Sequence, residues 1–483
     1  MSSNLNAVGS NKSKKRFVGV SSSKKVKSIA YIPHQIPLEI IDDPQLNQAI
    51  QELPPNYTFE IHKTIHHIKK NGFKMVALQM PEGLQVYACA ISDIIERFTD
   101  ASTIIMADVT YGACCIDDYT AIALGCDLLI HYGHSCLVPI DQTSIKTLYI
   151  FVEIGIDSTH LLQTIRLNFP NDRGQFHSRI LEEEHISKMT IGEPSQEVQS
   201  SMDTTRLALV STIQFVAPLQ KLKEDLSEDY SGPPIPTTKF LTNTSVESDH
   251  TESICAGRYE VKIPRSKPLS PGEILGCTAP KLTDVDALLY LGDGRFHLES
   301  IMIANPSVPA FRYDPYSKEL TREYYDFQKM SQIRNAAIQS ARRSLDHPSD
   351  ATGPSAWGII LGTLGRQGSL KQLQAIMHQI CRHRSNIPYI PILLSELSPT
   401  KLQLFGNHIS TFVQTSCPRL SIDWGYAFDR PLLSPYELSV ALDINRSWME
   451  EGEGRYPMDF YAADGPWALS RLKGKESYLS YLN

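Results

Sequence analysis

The sequence predicts an α/β protein of three similar domains with parallel central sheets, and three observations carry that prediction. Short apolar runs bounded by small or polar residues recur as "MVALQMPEGLQ" from Met75, "LALVSTIQFVAPLQ" from Leu207 and "WGIILGTLGRQGSLKQLQ" from Trp357. Each reads as a buried strand, a loop and a helical start that closes on Leu-Gln. The echo continues downstream: "DLLIHYGHS" (127–135) matches "DALLYLGDGR" (286–295), and "STFVQTSCPR" (410–419) takes the corresponding place in the third segment. Finally, the period is roughly 150 residues, which is a domain length and not a solenoid repeat. Strand–loop–helix units in series give parallel sheets covered by helices.

Taken in order, residues 1–55 are a basic tail and a lead-in rich in proline. The stretch "SNKSKKRFVGVSSSKKVKS" has no acidic residue and reads as a disordered end. Residues 56–165 form the first α/β domain, 166–315 the second and 316–445 the third. Within the second, the polar, acidic and proline-punctuated segment at about 224–256 reads as a disordered insertion, with too little apolar surface to offset the entropy of ordering. Residues 446–483 form an aromatic-containing C-terminal tail that packs on something.

Composition narrows the function. Hydrophobic residues make up 42% of the 483 and charged residues 20%, the balance of a soluble globular chain. A net charge of −7 argues against a general nucleic-acid or anionic-membrane binder. No apolar run approaches the ~20 residues of a membrane span, and no secretory signal opens the chain. The expected location is cytoplasmic, where the nine cysteines are thiols or ligands and not disulfides.

No C-x-x-C occurs, so any shared cysteine site is assembled from distant segments. The repeat shows how. Cys114 in "DVTYGACCIDD", Cys277 in "GEILGCTAP" and Cys417 in "VQTSCPRLSIDWG" each follow a strand, Cys417 one strand later than the other two. Loops at the carboxyl ends of strands are where open α/β sheets bind ligands. Three thiolates with an open fourth position suit an iron–sulfur cluster that binds substrate at one iron, or a zinc site. Cys89 and Cys126 read as packing residues, and Cys136, Cys255 and Cys381 have no arguable partner. His62 and His66 stand at i, i+4 beside an isoleucine stripe and read as a structural flank. The loops "HYGHS", with Gly133, His134 and Ser135, "GDGRFH", with Asp293 and Gly294, and "LGRQGS", with Arg366, are candidate grips for a nucleoside or a carboxylate.

The strings "MPEGLQ", "DVTYGACCIDD", "HYGHSCLVPID", "LSPGEILGCTAP", "LGDGRFH", "FRYDPYSKELTRE", "GTLGRQGS" and "SCPRLSIDWG" resemble those of the eukaryotic diphthamide biosynthesis protein 1 family, subunit 1 of 2-(3-amino-3-carboxypropyl)histidine synthase. The resemblance runs from about Ile32 to Ala462. It implies three α/β domains around a [4Fe–4S] cluster held by Cys114, Cys277 and Cys417. Cys114 is implied over Cys115 because relatives keep the first cysteine of the pair in Y-G-x-C. Cys115, in an extended stretch, is then expected to face away. The resemblance further implies a non-classical radical transferase that moves the 3-amino-3-carboxypropyl group of S-adenosylmethionine to a histidine of elongation factor 2. The implied partners are subunit 2 in a heterodimer and a small electron-donating protein, with no nucleic acid and no membrane. Two other readings of the residues stay open: a three-cysteine zinc enzyme, and a non-catalytic scaffold with a structural metal.

Overall fold

A computed structural model describes residues 36–107, 112–135, 137–138, 140–181, 203–230, 255–346, 356–384, 387–450, 454–462 and 465–470. Three sheets organise them. The first begins after β1 (Tyr57–Thr58) and holds β2 (Met75–Gln79), β3 (Ser102–Ile105), β4 (Leu128–Tyr132) and β5 (Lys146–Ile150), all parallel in the order β3-β2-β4-β5. After β6 (Glu153–Ile154), which pairs with β1, the second holds β7 (Arg206–Ser211), β8 (Glu260–Lys262), β9 (Ala287–Leu291), β10 (Ala310–Asp314) and β11 (Glu319–Glu323). Its order is β8-β7-β9-β10-β11, with only the edge hairpin β10–β11 antiparallel. The third holds β12 (Ala356–Gly362), β13 (Tyr389–Leu394), β14 (Ile409–Gln414) and β15 (Leu432–Leu433) in the order β13-β12-β14-β15, all parallel.

The three orders are one order. In each unit the second strand lies outside the first, and the third and fourth continue on its other side. The winding direction therefore reverses at the first strand, which opens a crevice at the strands' carboxyl ends. Burial explains the sequence pattern: every residue of "LLIHY" in β4 and "ALLYL" in β9 is buried, because central parallel strands are covered on both faces. Helices cover them with one apolar stripe, as in Ile61–Asn71, where Ile61, Thr64, Ile65 and Ile68 are buried.

Several sequence boundaries are corrected. The helix Ser158–Asn168 runs through the expected boundary at 165, and its Leu161 and Ile165 pack with Leu207 and Leu209 of the second sheet. Likewise β11 lies beyond the expected boundary at 315 yet pairs with β10 of the second sheet. The lead-in is folded from Leu38, with Leu46 and Leu53 buried in the first unit's core. The expected insertion begins inside the helix Val216–Ser227, whose Leu226 is buried. Arg166 then gathers both flanks, donating to the carbonyls of Asp225 and Glu228 on one side and of Cys255 and Gly257 on the other. Residues 231–254 of the insertion and residues 1–35 of the basic tail lie outside the described residues. The C-terminal segment is core: Trp448, Tyr456, Met458, Phe460 and Trp467 are buried together with Tyr436. It crosses back to the second unit, where Ala279 N donates to Met458 O at 2.7 Å beside a Thr278–Asp459 bridge.

Candidate active site

Cys114 sits in a 3-10 turn, Ala113–Cys115, beyond the end of β3. Gln79, the last residue of β2, holds this turn: its Nε2 donates to Cys115 O at 3.0 Å and its Oε1 accepts from Asp117 N at 3.2 Å. The third unit closes over the turn. Arg366 N donates to Cys114 O at 3.1 Å, and Gln367 Nε2 lies 3.3 Å from Cys115 Sγ. Gly365 is required there, since it has φ +53° and a Cβ on it would stand 2.6 Å from the Cys115 carbonyl.

Cys277 lies at a tight turn closed by reciprocal bonds between Leu275 and Thr278. Gly276 lets the turn press on Phe296, whose ring would be 2.1 Å from an added Cβ. Cys417 is the N-cap of the helix Pro418–Trp424 at the end of β14, and its carbonyl accepts from Gln414 Nε2 at 3.0 Å. Pro418 at the first helical position costs no hydrogen bond.

The three loops meet. The Cys114 thiol is raised well above its usual range by contact with Cys115, by burial, and by the nearness of Cys277 and Cys417. Burial and Cys417 likewise raise Cys277, and burial pushes Cys417 up to about 11. Among the described residues no three His, Cys, Asp or Glu side chains close round a single metal ion. The three thiols are near enough to raise one another's pKa. Tyr461 of the C-terminal segment reaches the same place, its phenol in hydrogen-bond contact with Cys114 and close to Cys277 and Cys417.

Cys115 corrects one expectation. Its turn is 3-10 and not extended, so the two side chains do not alternate, and the sulfurs of Cys114 and Cys115 lie 4.0 Å apart. Cys115 is nevertheless buried, whereas Cys114 is partly exposed.

The other predicted residues divide. His134 and Ser135 stand at the end of β4 close to the seam with the second unit, and the Gly133 carbonyl accepts from Gln214. Burial first and His297 second lower the His134 pKa to about 4, so this imidazole stays neutral. Arg366 is engaged elsewhere: its guanidinium binds Asp118 at 2.5 and 2.8 Å and Ser144 at 3.0 Å, and stacks on Tyr119. That makes it a latch between the first and third units. Asp293 and Gly294 are exposed just beyond the end of β9, where the Asp293 carbonyl accepts from the Tyr290 hydroxyl. His62 is bound to Asn47 at 2.8 Å, in keeping with a structural flank.

Sequence reasoning missed Arg419. Two residues after Cys417 and buried, it donates to Gly276 O at 3.2 Å, Phe296 O at 2.7 Å, Glu299 at 2.6 Å and Asp423 at 2.8 Å. It therefore ties the Cys417 helix to the Cys277 turn. An arginine inside the otherwise apolar start of "CPRLSI" was the available signal.

Three repeated α/β units that bring one thiol each to a common crevice define a class, and comparison gives the family. The chain belongs to the diphthamide synthesis family: the sequence profile described as "Putative diphthamide synthesis protein" matches residues 80–186 and 180–453. Relatives named 2-(3-amino-3-carboxypropyl)histidine synthase subunit 1 are similar over most of their length. The Nematostella vectensis protein is 49% identical over 459 residues, 93% of this chain and 81% of its own. The human protein is 48% identical over 446 residues, 91% of this chain and 83% of its own. The fold is similar to the crystal structure of Dph2 from Pyrococcus horikoshii with a 4Fe-4S cluster, at TM-score 0.55 and 21% identity, covering 83% of this chain and 93% of that one. The family is one of enzymes, and relatives named as a subunit 1 belong to a multi-subunit assembly. No described helix is long and apolar enough to cross a membrane.

Proposed function

We propose that this chain is the cluster-holding subunit of a 2-(3-amino-3-carboxypropyl)histidine synthase, transferring the aminocarboxypropyl group of S-adenosylmethionine to a histidine of elongation factor 2. What supports this reading is that Cys114, Cys277 and Cys417, one from each unit, are near enough to raise one another's pKa, in a chain of the diphthamide synthesis family. The donor set fits a [4Fe–4S] cluster: three soft sulfur ligands, small-residue loops and one position left over. Bound there, such a cluster supplies the electron that breaks the donor's bond between sulfonium sulfur and aminocarboxypropyl chain, leaving methylthioadenosine.

The chain's own residues do the placing. Gln79, Arg366 and Arg419 hold the thiol-bearing loops from neighbouring strands and units, so the ligands are set before metal arrives. Tyr461 reaches the thiols, and half-buried His134 and His297 stay neutral, adding no charge. Keeping water out of such a crevice protects a reactive carbon radical from side reactions. Subunit 2 as heterodimer partner, a small electron-donating protein and a cytoplasmic setting complete the proposal.

The test is anaerobic. Purified protein carrying such a cluster is brown, with broad absorption near ~400 nm. With a reductant, subunit 2, elongation factor 2 and labelled S-adenosylmethionine, label should move to the target and methylthioadenosine should appear. A colourless protein that holds zinc would overturn the reading.

A further inference from the structure

Five carboxyl side chains are buried among the described residues: Asp118, Glu273, Asp286, Glu323 and Glu437. Four of them meet a guanidinium. Asp118 has Arg366 at 2.5 Å, Asp286 has Arg173 at 2.8 Å, Glu323 has Arg312 at 2.9 Å and Glu437 has Arg334 at 2.7 Å. Glu273, 1% exposed, has no cationic partner among the described residues. Its Oε2 accepts from Ser270 N at 3.0 Å, while its Oε1 has no donor there. A buried carboxyl without a countercharge is costly; burial raises the Glu273 pKa towards the neutral acid, and a cation arriving from outside would hold it ionised and offset that cost.

The surroundings point the same way. Ser211 ends β7 and pairs with Glu273 in a parallel bridge, which puts both side chains on one side of the sheet. Ser135 of the first unit lies close beside the Glu273 carboxyl. The hydroxyl of Ser211 is buried and, like Glu273 Oε1, without a direct hydrogen-bond partner among the described residues. Two units thus present three oxygens at the carboxyl ends of their strands, four residues upstream of Cys277 (277 − 273). This set of acceptors matches a primary ammonium, which carries three donors and one charge.

We propose that Glu273, with Ser135 and Ser211, receives the α-ammonium of the donor's amino-acid arm and so selects the donor over its nucleoside product. The proposal rests on S-adenosylmethionine as donor. A site built around unpaired polar groups rejects an analogue that lacks the matching group far more strongly than one that lacks a methylene.

Two nucleosides separate the outcomes: S-adenosylhomocysteine keeps the amino-acid arm, and methylthioadenosine lacks it. Titration calorimetry on anaerobically reconstituted protein should show at least a tenfold preference for the first. Glu273→Gln should remove that preference and leave methylthioadenosine affinity within about twofold. Preference retained in Glu273→Gln, or both affinities falling together, overturns the proposal. Should Glu273→Gln fail to fold, Ser135→Ala serves instead, and it should cut the preference severalfold at unchanged iron content; an unchanged preference overturns the assignment. If wild-type protein binds both nucleosides equally, ammonium recognition fails while the donor stands. If it binds neither, the donor itself is wrong and this inference falls with it.

Discussion

Arg419 and Arg366 both fasten a cysteine-bearing loop across a boundary between units, in different surroundings. Arg419 is 2% exposed and ends on two carbonyls and two carboxylates, with Phe296 against its face. Arg366 is 21% exposed at the side chain and ends on one carboxylate, Asp118, which is itself fully buried. In the first seam the buried partner is the cation; in the second it is the anion. Removing the arginine therefore does different damage: it leaves carboxylates about one-quarter exposed, which water reaches in part, in one case, and a stranded buried charge in the other. The lesson is that a site shared by three units depends on the seams as much as on the ligands.

The largest effect belongs to the ligands. Cys114→Ala, Cys277→Ala and Cys417→Ala should each lose most bound iron and abolish methylthioadenosine release, because two thiolates hold a cubane poorly. Iron per chain after anaerobic reconstitution reads this directly. If Cys115→Ala loses the cluster while Cys114→Ala keeps it, the pair is assigned the wrong way round.

Next comes the second–third seam. Arg419→Met should destabilise the fold by about 3 kcal/mol, through the lost carbonyl bonds and the unpaired Glu299 and Asp423. Iron content should fall although every cysteine remains. Urea unfolding with iron analysis checks both. Normal stability and full iron would show that the seam does not set the Cys277–Cys417 geometry.

The first–third seam sharpens the contrast through pH. Burial alone would raise the Asp118 pKa, but hydrogen bonds from Arg366 and Ser144 N outweigh it, and the folded pKa lies below the usual carboxylate value. The stabilisation is thus fully present above the unfolded pKa near ~4 and is lost as pH falls through the folded value. Arg366→Ala should cost about 2–3 kcal/mol at neutral pH, and the gap to wild type should shrink as pH falls from the variant's burial-raised Asp118 pKa towards the lowered wild-type one. A gap independent of pH would mean that Arg366 acts by packing on Tyr119 and not by charge.

The smallest effect belongs to Cys115. Cys115→Ala removes a buried sulfur that touches Gln367 and should cost about 1 kcal/mol with iron content near normal. Chemical denaturation and iron analysis of this one variant test it.

Much of this was legible in the residues. The apolar runs at Met75, Leu207 and Trp357 became the first strands of three sheets, since a continuous apolar run suits only a strand covered on both faces. The loops bearing Cys114, Cys277 and Cys417 were expected from places after strands; Cys417 closely follows β14, whereas Cys277 lies in a turn between β8 and β9. The unit boundaries were misread because the helix Ser158–Asn168 and strand β11 carry ordinary local patterns that do not say which sheet they join. The alternation argument for Cys115 failed because a 3-10 turn and an extended strand look alike over three residues.

By itself, the sequence determined the α/β class, the threefold repeat and the cysteine loops, because strand burial and turn chemistry are local and leave a periodic trace. Only the tertiary structure decided that Arg366 is a latch, that Arg419 spans two thiol loops, that Tyr461 returns from the C-terminal segment, and that Glu273 is buried without a cation among the described residues. Those roles depend on which distant groups become neighbours, and charge pairing across units has no period to read.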